Sequence, residues 1–243
     1  MNESARSCIK KKMKILIKKQ KSHLNNSCIR WYLSEEKLWI TSFKEYADVE
    51  ESIKDAIGSF NWLYEVNDTV LFRKEDGEFE TAIIDLSGKI NLDAIDYSLR
   101  NKCNIQKGNL FLEEKGNLSF EFPESINYVE SKDYLISLPD KFDIEKLLIL
   151  FIVDDFAFVV MENQLEGWIL KNASKYICMP EMEEYLCSSN SHLLGAYFKA
   201  LKTWEEDNDT TLLNELLDAV KMKRDVVSMA VRECIKNILS DGL

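Results

Sequence analysis

Glycine and proline are scarce in this chain, with 8 and 3 among 243 residues. Glycine-rich phosphate loops, propeller blades and proline-rich linkers need more of both, so the families built on them are excluded. Histidine is scarcer still, with only His23 and His192. The side chain that most often moves protons near neutral pH is therefore almost missing. The six cysteines, Cys8, Cys28, Cys103, Cys178, Cys187 and Cys234, include no CxxC pair. A structural zinc site then has no spacing to work with. Dispersed thiols in a chain of this size predict free, packed cysteines and a reducing compartment, hence a cytoplasmic protein. No apolar run reaches the roughly 20 residues of a membrane helix. Near the N-terminus the apolar core is only Ile15, Leu16 and Ile17 between lysines, so neither a signal peptide nor a transmembrane segment is expected.

Chemical motifs are missing too. There is no GxGxxG, P-loop, HExxH or GxSxG. Asp207-Asn208-Asp209 starts like a calcium loop, yet Leu212 stands where the turn glycine is required and Asp218 where the bidentate glutamate belongs. A cysteine nucleophile would have to draw its base from two histidines, and spacing prefers none of Cys28, Cys103, Cys178 or Cys187. The pattern calls for no cofactor and no metal.

What is present is charge, unevenly placed. Residues 1–30 carry nine basic side chains against Glu3 alone, a net of +8, and the remainder carries −19, for −11 overall. A body that acidic repels phosphate backbones, which argues against nucleic acid as a partner. It attracts basic proteins through long-range steering.

The densest apolar run is 147–160, LLILFIV-DD-FAFVV, two halves split by Asp154 and Asp155. Short β-branched and aromatic halves predict two neighbouring buried strands. Hairpins are expected over 30–41 and, around Asp76-Gly77, over 69–84. A third is expected where 110–112 and 118–122 flank Lys115-Gly116-Asn117, with further strands at 134–138 and 168–170. Helices are predicted from Asp48 to about Gly58 and from Leu92 to Lys102, the latter capped by Asn91 with Ile95, Leu99 and Cys103 on one side. The segment 7–21 reads either as a basic helix or as a strand centred on Ile15, Leu16 and Ile17. Beyond Met179 the spacing turns helical, with an acidic loop over 205–209, and the final stretch reads as one long helix or as two meeting near 222–225. No repeat of fixed period is visible. The fold class is therefore α+β, an antiparallel β-meander core of about 8–10 strands with inserted helices and a C-terminal helical segment. Its divisions are a basic N-terminal arm at 1–29, the α+β core at 30–178 and the helical segment at 179–243.

Two functional expectations follow. The first is a non-enzymatic, acidic, cytoplasmic binding protein that recognises or inhibits a basic protein partner, as immunity proteins, inhibitors and adaptors do. Glu205, Glu206, Asp207 and Asp209 are its candidate contact residues. The second rests on a short pattern. Ile83-Ile84-Asp85 ends one predicted strand, and Leu110-Phe111-Leu112 runs into Glu113 and Lys115. This resembles the PD-(D/E)xK nucleases. The resemblance implies Mg²⁺ held by Asp85 and Glu113, with Lys115 positioning the attacking water.

Overall fold

The computed structural model describes residues 14–59, 68–87, 90–92, 103–113, 117–118, 122–139, 141–179 and 189–241. From the N-terminus these form β1 (Ile15–Lys18), β2 (Ile29–Tyr32), β3 (Lys37–Ile40), helix α1 (Tyr46–Ser52), β4 (Ala56–Ser59), β5 (Thr69–Arg73), β6 (Phe79–Asp85) and β7 (Ile90–Leu92). Next come β8 (Asn104–Lys107), β9 (Asn109–Leu112), β10 (Asn117–Leu118), β11 (Ile126–Val129), β12 (Tyr134–Ser137), β13 (Leu148–Phe151), β14 (Phe156–Met161), β15 (Gln164–Lys171) and β16 (Ile177–Cys178). Helices α2 (Ser191–Asp207), α3 (Thr211–Val220) and α4 (Val226–Asp241) follow. The fold is α+β with mainly antiparallel pairing, as the pattern predicts. Among the described residues, two seven-stranded sheets and a two-stranded ribbon exceed the expected 8–10 strands. The surplus lies in strands as short as two residues, which leave no periodic signal.

The two sheets follow one plan. The first runs β10-β4-β5-β6-β3-β2-β16 and the second β8-β13-β14-β15-β12-β11-β7. Register matches as well as order. Leu38 faces Ile84 and Trp39 faces Ile83 in the first; Leu135 faces Leu170 and Ile136 faces Ile169 at the same places in the second. Each central hairpin carries the same bulge, which steps over Glu80 in one and Glu166 in the other. The chain is thus a structural duplication with reciprocal exchange. β7 leaves the first half to pair in parallel with β11, and β16 leaves the second to pair in parallel with β2. β1 and β9 pair antiparallel with each other, Ile15 opposite Leu112.

The sheets stack face to face, since residues from the inner faces of both fall in one apolar cluster. Phe158 of β14 lies edge-on to Phe79 of β6, with ring centroids 5.1 Å apart, and stacks on Phe122 at 6.0 Å. Ile15, Trp31 and Trp168 are almost fully buried in the same cluster. Each such side chain contributes roughly 1.5–3 kcal/mol by leaving water. α2 lies across the equivalent hairpins β2–β3 and β11–β12. Phe198 sits between Trp31 and its counterpart Tyr128, at 6.2 and 5.3 Å. Asn190 caps α2 by accepting from the Leu193 N–H. Gly195 permits the helix to press on Glu130, whose carboxylate stands 2.5 Å from where a Cβ would be.

Several local expectations change. The 147–160 run and the hairpins at 30–41 and 69–84 form, and the segment 15–17 resolves as a strand. The helix from Asp48 stops at Ser52 and a 3-10 turn, because Ile57 and Gly58 pair with β5 instead. Asn91 and Leu92 belong to a strand rather than a cap and first helical turn, and 93–102 lie outside the described residues. Among the described residues, the hairpin expected from 110–112 to 118–122 is replaced by other pairings: β9 pairs with β1, and β10 pairs in parallel with β4. α2 continues through Asp207 and ends on the left-handed Asn208. The final stretch is two helices, broken between Val220 and Val226. Among the described residues no helix is long and apolar enough to cross a membrane.

Candidate functional site

The most distinctive cleft opens where the β2–β3 turn meets α2 and α4. The turn is tight: Glu36 N donates to Leu33 O, and Glu36 holds φ 53, a left-handed value uncommon for a residue with a side chain. Leu86 N donates to Glu36 O at 2.7 Å, tying the strand exit after β6 to the turn. Two hollows of about 200 and 380 Å³ adjoin here and share Leu33, Glu36, Tyr197, Leu201 and Glu205 as lining. Trp204, Cys234 and Asn237 line the larger one, and Trp31 and Phe198 the smaller.

The duplication provides an internal comparison. Asp133 occupies the position of Glu36 in the β11–β12 turn, again left-handed, and Ala173 N donates to its carbonyl as Leu86 N does to that of Glu36. Its carboxylate is satisfied by the Tyr128 hydroxyl at 2.9 Å and by the N–H and hydroxyl of Ser174. The Glu36 carboxylate meets no hydrogen-bond donor among the described residues. Its pKa is raised, first by desolvation, then by the charges of Asp85 and Glu205, against a partial pull from Lys37. Burial pushes the Tyr197 hydroxyl well above its ordinary range, and Cys234, Glu36 and Glu205 add to it. Burial also pushes the Cys234 thiol up to about 12. The cleft is therefore electronegative, walled by aromatic rings, and suited to a cation.

The predicted contact residues divide. Glu205 lines the cleft. Glu206, one residue on, stands 4.0 Å from Lys202 on the exposed helix surface. Asp207 is the last residue of α2. Asp209 accepts from the Thr211 N–H at 2.8 Å at the start of α3, and that hydroxyl and N–H hold its carboxyl below the ordinary range. Sequence reasoning missed Glu36, Tyr197 and Trp204 as members of one site; the signal available was the acidic Ser34-Glu35-Glu36 turn between aromatic strands.

The nuclease-like residues are not brought together. Asp85 ends β6, where Lys37 bonds it and Ser87 N donates to it; against desolvation, these hold its carboxyl below the ordinary range. Glu113 follows β9, whose Leu112 N donates to Gly77 O just before the opposite end of β6. At about 3.3 Å per residue, the seven residues of β6 separate the two carboxylates by about 20 Å, several times the span of one metal-coordination sphere. Lys115 lies outside the described residues. Among the described residues no group of three or more His, Cys, Asp or Glu could hold a metal ion. His23 faces Glu78 at 3.5 Å and His192 faces Glu130 at 2.8 Å. Burial pushes the Cys178 thiol up to about 12, which leaves it protonated and a poor nucleophile. Neither the protein-family models nor the curated proteins searched contain a match to this chain.

Proposed function

We propose that this chain is a non-enzymatic, cytoplasmic, acidic binding protein that recognises or inhibits a basic protein, and that a lysine or arginine of that partner enters the Glu36–Glu205 cleft. The observation that carries the reading is geometric: Glu36 and Glu205, two solvent-exposed acids that repel each other, share one cleft walled by Tyr197 and Trp204. An incoming cation would relieve that repulsion, and Trp204 or Tyr197 would add a cation–π contact of about 0.5–2 kcal/mol. The wider acidic field would speed encounter and turn away acidic competitors. Because Glu36 must be ionised to attract the cation, affinity should fall as pH drops through the acid range.

The test is retention of basic proteins from lysate by the immobilised chain, compared with the double variant Glu36→Gln, Glu205→Gln. A basic protein held by the native chain, released as salt rises and lost from the variant, would support the reading. Equal retention by both would refute the role of the cleft.

A further inference from the structure

The outer faces of the two sheets are finished differently. On the first, Tyr32, Trp39, Leu71 and Ile83 are covered by α1 through Val49, with Phe43 and Ile53 packed alongside. On the second, the described residues between β12 and β13 include a single 3-10 turn, Ile144–Lys146, and Ile136 stands where the first sheet has Trp39. Phe142 and Ile144 of that connection pack against part of this face, and beside them it keeps a hollow of about 430 Å³. Its apolar lining is Ile105, Ile136, Ile149, Phe151 and Ile169. Within the row, Ala157 separates Phe151 from Ile169 and adds only a methyl group.

One end of the hollow is basic although the chain is acidic. Lys107 and Lys171 line it with Asp154. Lys171 Nζ lies 3.6 Å from the centre of the Phe151 ring, at the apolar boundary. Lys107 pairs with Asp154 at 2.8 Å, and both side chains are largely exposed. Exposed pairs of this kind are worth about 0–1 kcal/mol, so an incoming anion can displace Asp154 cheaply. The Lys107 hydrogen bond, then the charge of Lys107 and those of Lys171 and Lys21, hold the Asp154 carboxyl below its ordinary range.

We propose that the hollow is a ligand site for a medium-chain aliphatic carboxylate, its tail on Ile136, Ile149, Phe151 and Ile169 and its head group between Lys107 and Lys171. Size agrees with this occupant. The volume falls in the range of about 300–1,000 Å³ typical of small-molecule sites. Taking about 30 Å³ per heavy atom, the share of a water in the liquid, it holds about 14 heavy atoms, room for a carboxylate of about ten to twelve carbons.

The experiment is isothermal titration of the full chain with sodium decanoate and, separately, 1-decanol, each up to about 1 mM. Saturable 1:1 binding of decanoate, at least about tenfold tighter than that of the alcohol, is expected. Lys107→Met with Lys171→Met should remove most of that tenfold preference while leaving alcohol binding in place. Ile136→Trp, which copies the first sheet, should abolish both, with circular dichroism checking that it folds. The lysine variants lie at the rim and keep the proposal testable if the tryptophan variant does not fold. No saturable decanoate binding, or binding indifferent to the lysine variants, overturns the proposal.

Discussion

Asp68 offers the sharpest test of how this fold handles its charge. The residue precedes β5 and is buried, and its carboxylate accepts N–H groups from Asp85 and Phe122, which ties the end of β6 to the chain entering β11. Burial raises its pKa from 3.8 to about 6; the two N–H bonds pull the other way, and Asp85 pushes with burial. Between those values the folded chain keeps a proton that the unfolded chain has released. Stability must therefore fall as pH rises from about 3.8 to about 6 and level off beyond. A rise from 3.8 to about 6 corresponds to about 3 kcal/mol. Carboxyls held low, such as Asp85 and Asp225, act in the opposite sense, their contribution being lost as pH falls through their lowered values. The Asp68 contribution is isolated by comparison with Asp68→Asn. The amide accepts one N–H and opposes the other, a cost that does not change with pH. Urea unfolding of both proteins from pH 4 to 7 should show the native chain losing about 1–3 kcal/mol relative to the variant. A difference that stays flat, or moves in favour of the native chain, would refute the reasoning.

Two further outcomes test the packing. Phe158→Ala removes a ring in contact with Phe79, Phe122 and Phe156 at the meeting of the sheets, and should cost about 4 kcal/mol in urea unfolding while leaving a single transition; a loss below about 1 kcal/mol would deny the shared core. Gly58→Ala places a Cβ 2.1 Å from Val70 O at φ +140, so both the clash and the backbone conformation oppose it; thermal unfolding should show a loss of at least about 3 kcal/mol, and a variant as stable as the native chain would contradict the close β4–β5 approach.

The hairpins were legible because their signals are local. Asp76-Gly77 supplies the positive φ that its turn needs, and Asp154-Asp155 interrupts an apolar run at the point of reversal. β4 was not legible, because Ile57 sits in helical spacing with Ile53 and Val49 and only pairing with Phe72 decides otherwise. β10 and β16 are two residues long and gain their strand character from distant partners. The duplication left no fixed period because the two halves differ in their loops. The connection from Phe72 to Phe79 is longer than that from Val160 to Leu165, and among the described residues between β12 and β13 a 3-10 turn stands where the first half has α1. Of the candidate site, the acidity of Glu205 was legible. Its association with Glu36 was not, since it depends on α2 lying across a hairpin far away in sequence.

The duplication also bears on why the two openings exist. A hollow in a single sheet can be a by-product of twist or of a short loop. Here each opening has an equivalent place that is closed on the same backbone plan. The left-handed turn residue is satisfied by Tyr128 and Ser174 in one half, whereas in the other Glu36 faces aromatic walls and a second acid. The outer face is packed by Trp39 and α1 in one half; in the other, Phe142 and Ile144 pack on part of it and a hollow with a basic rim remains beside Ile136. The strand plan does not force either opening, because it tolerates the closed version elsewhere in the same chain. The differences reside in a few side chains and one connection. Glu36 and Ile136, where the two halves diverge on one backbone plan, are therefore the first positions to exchange for their counterparts.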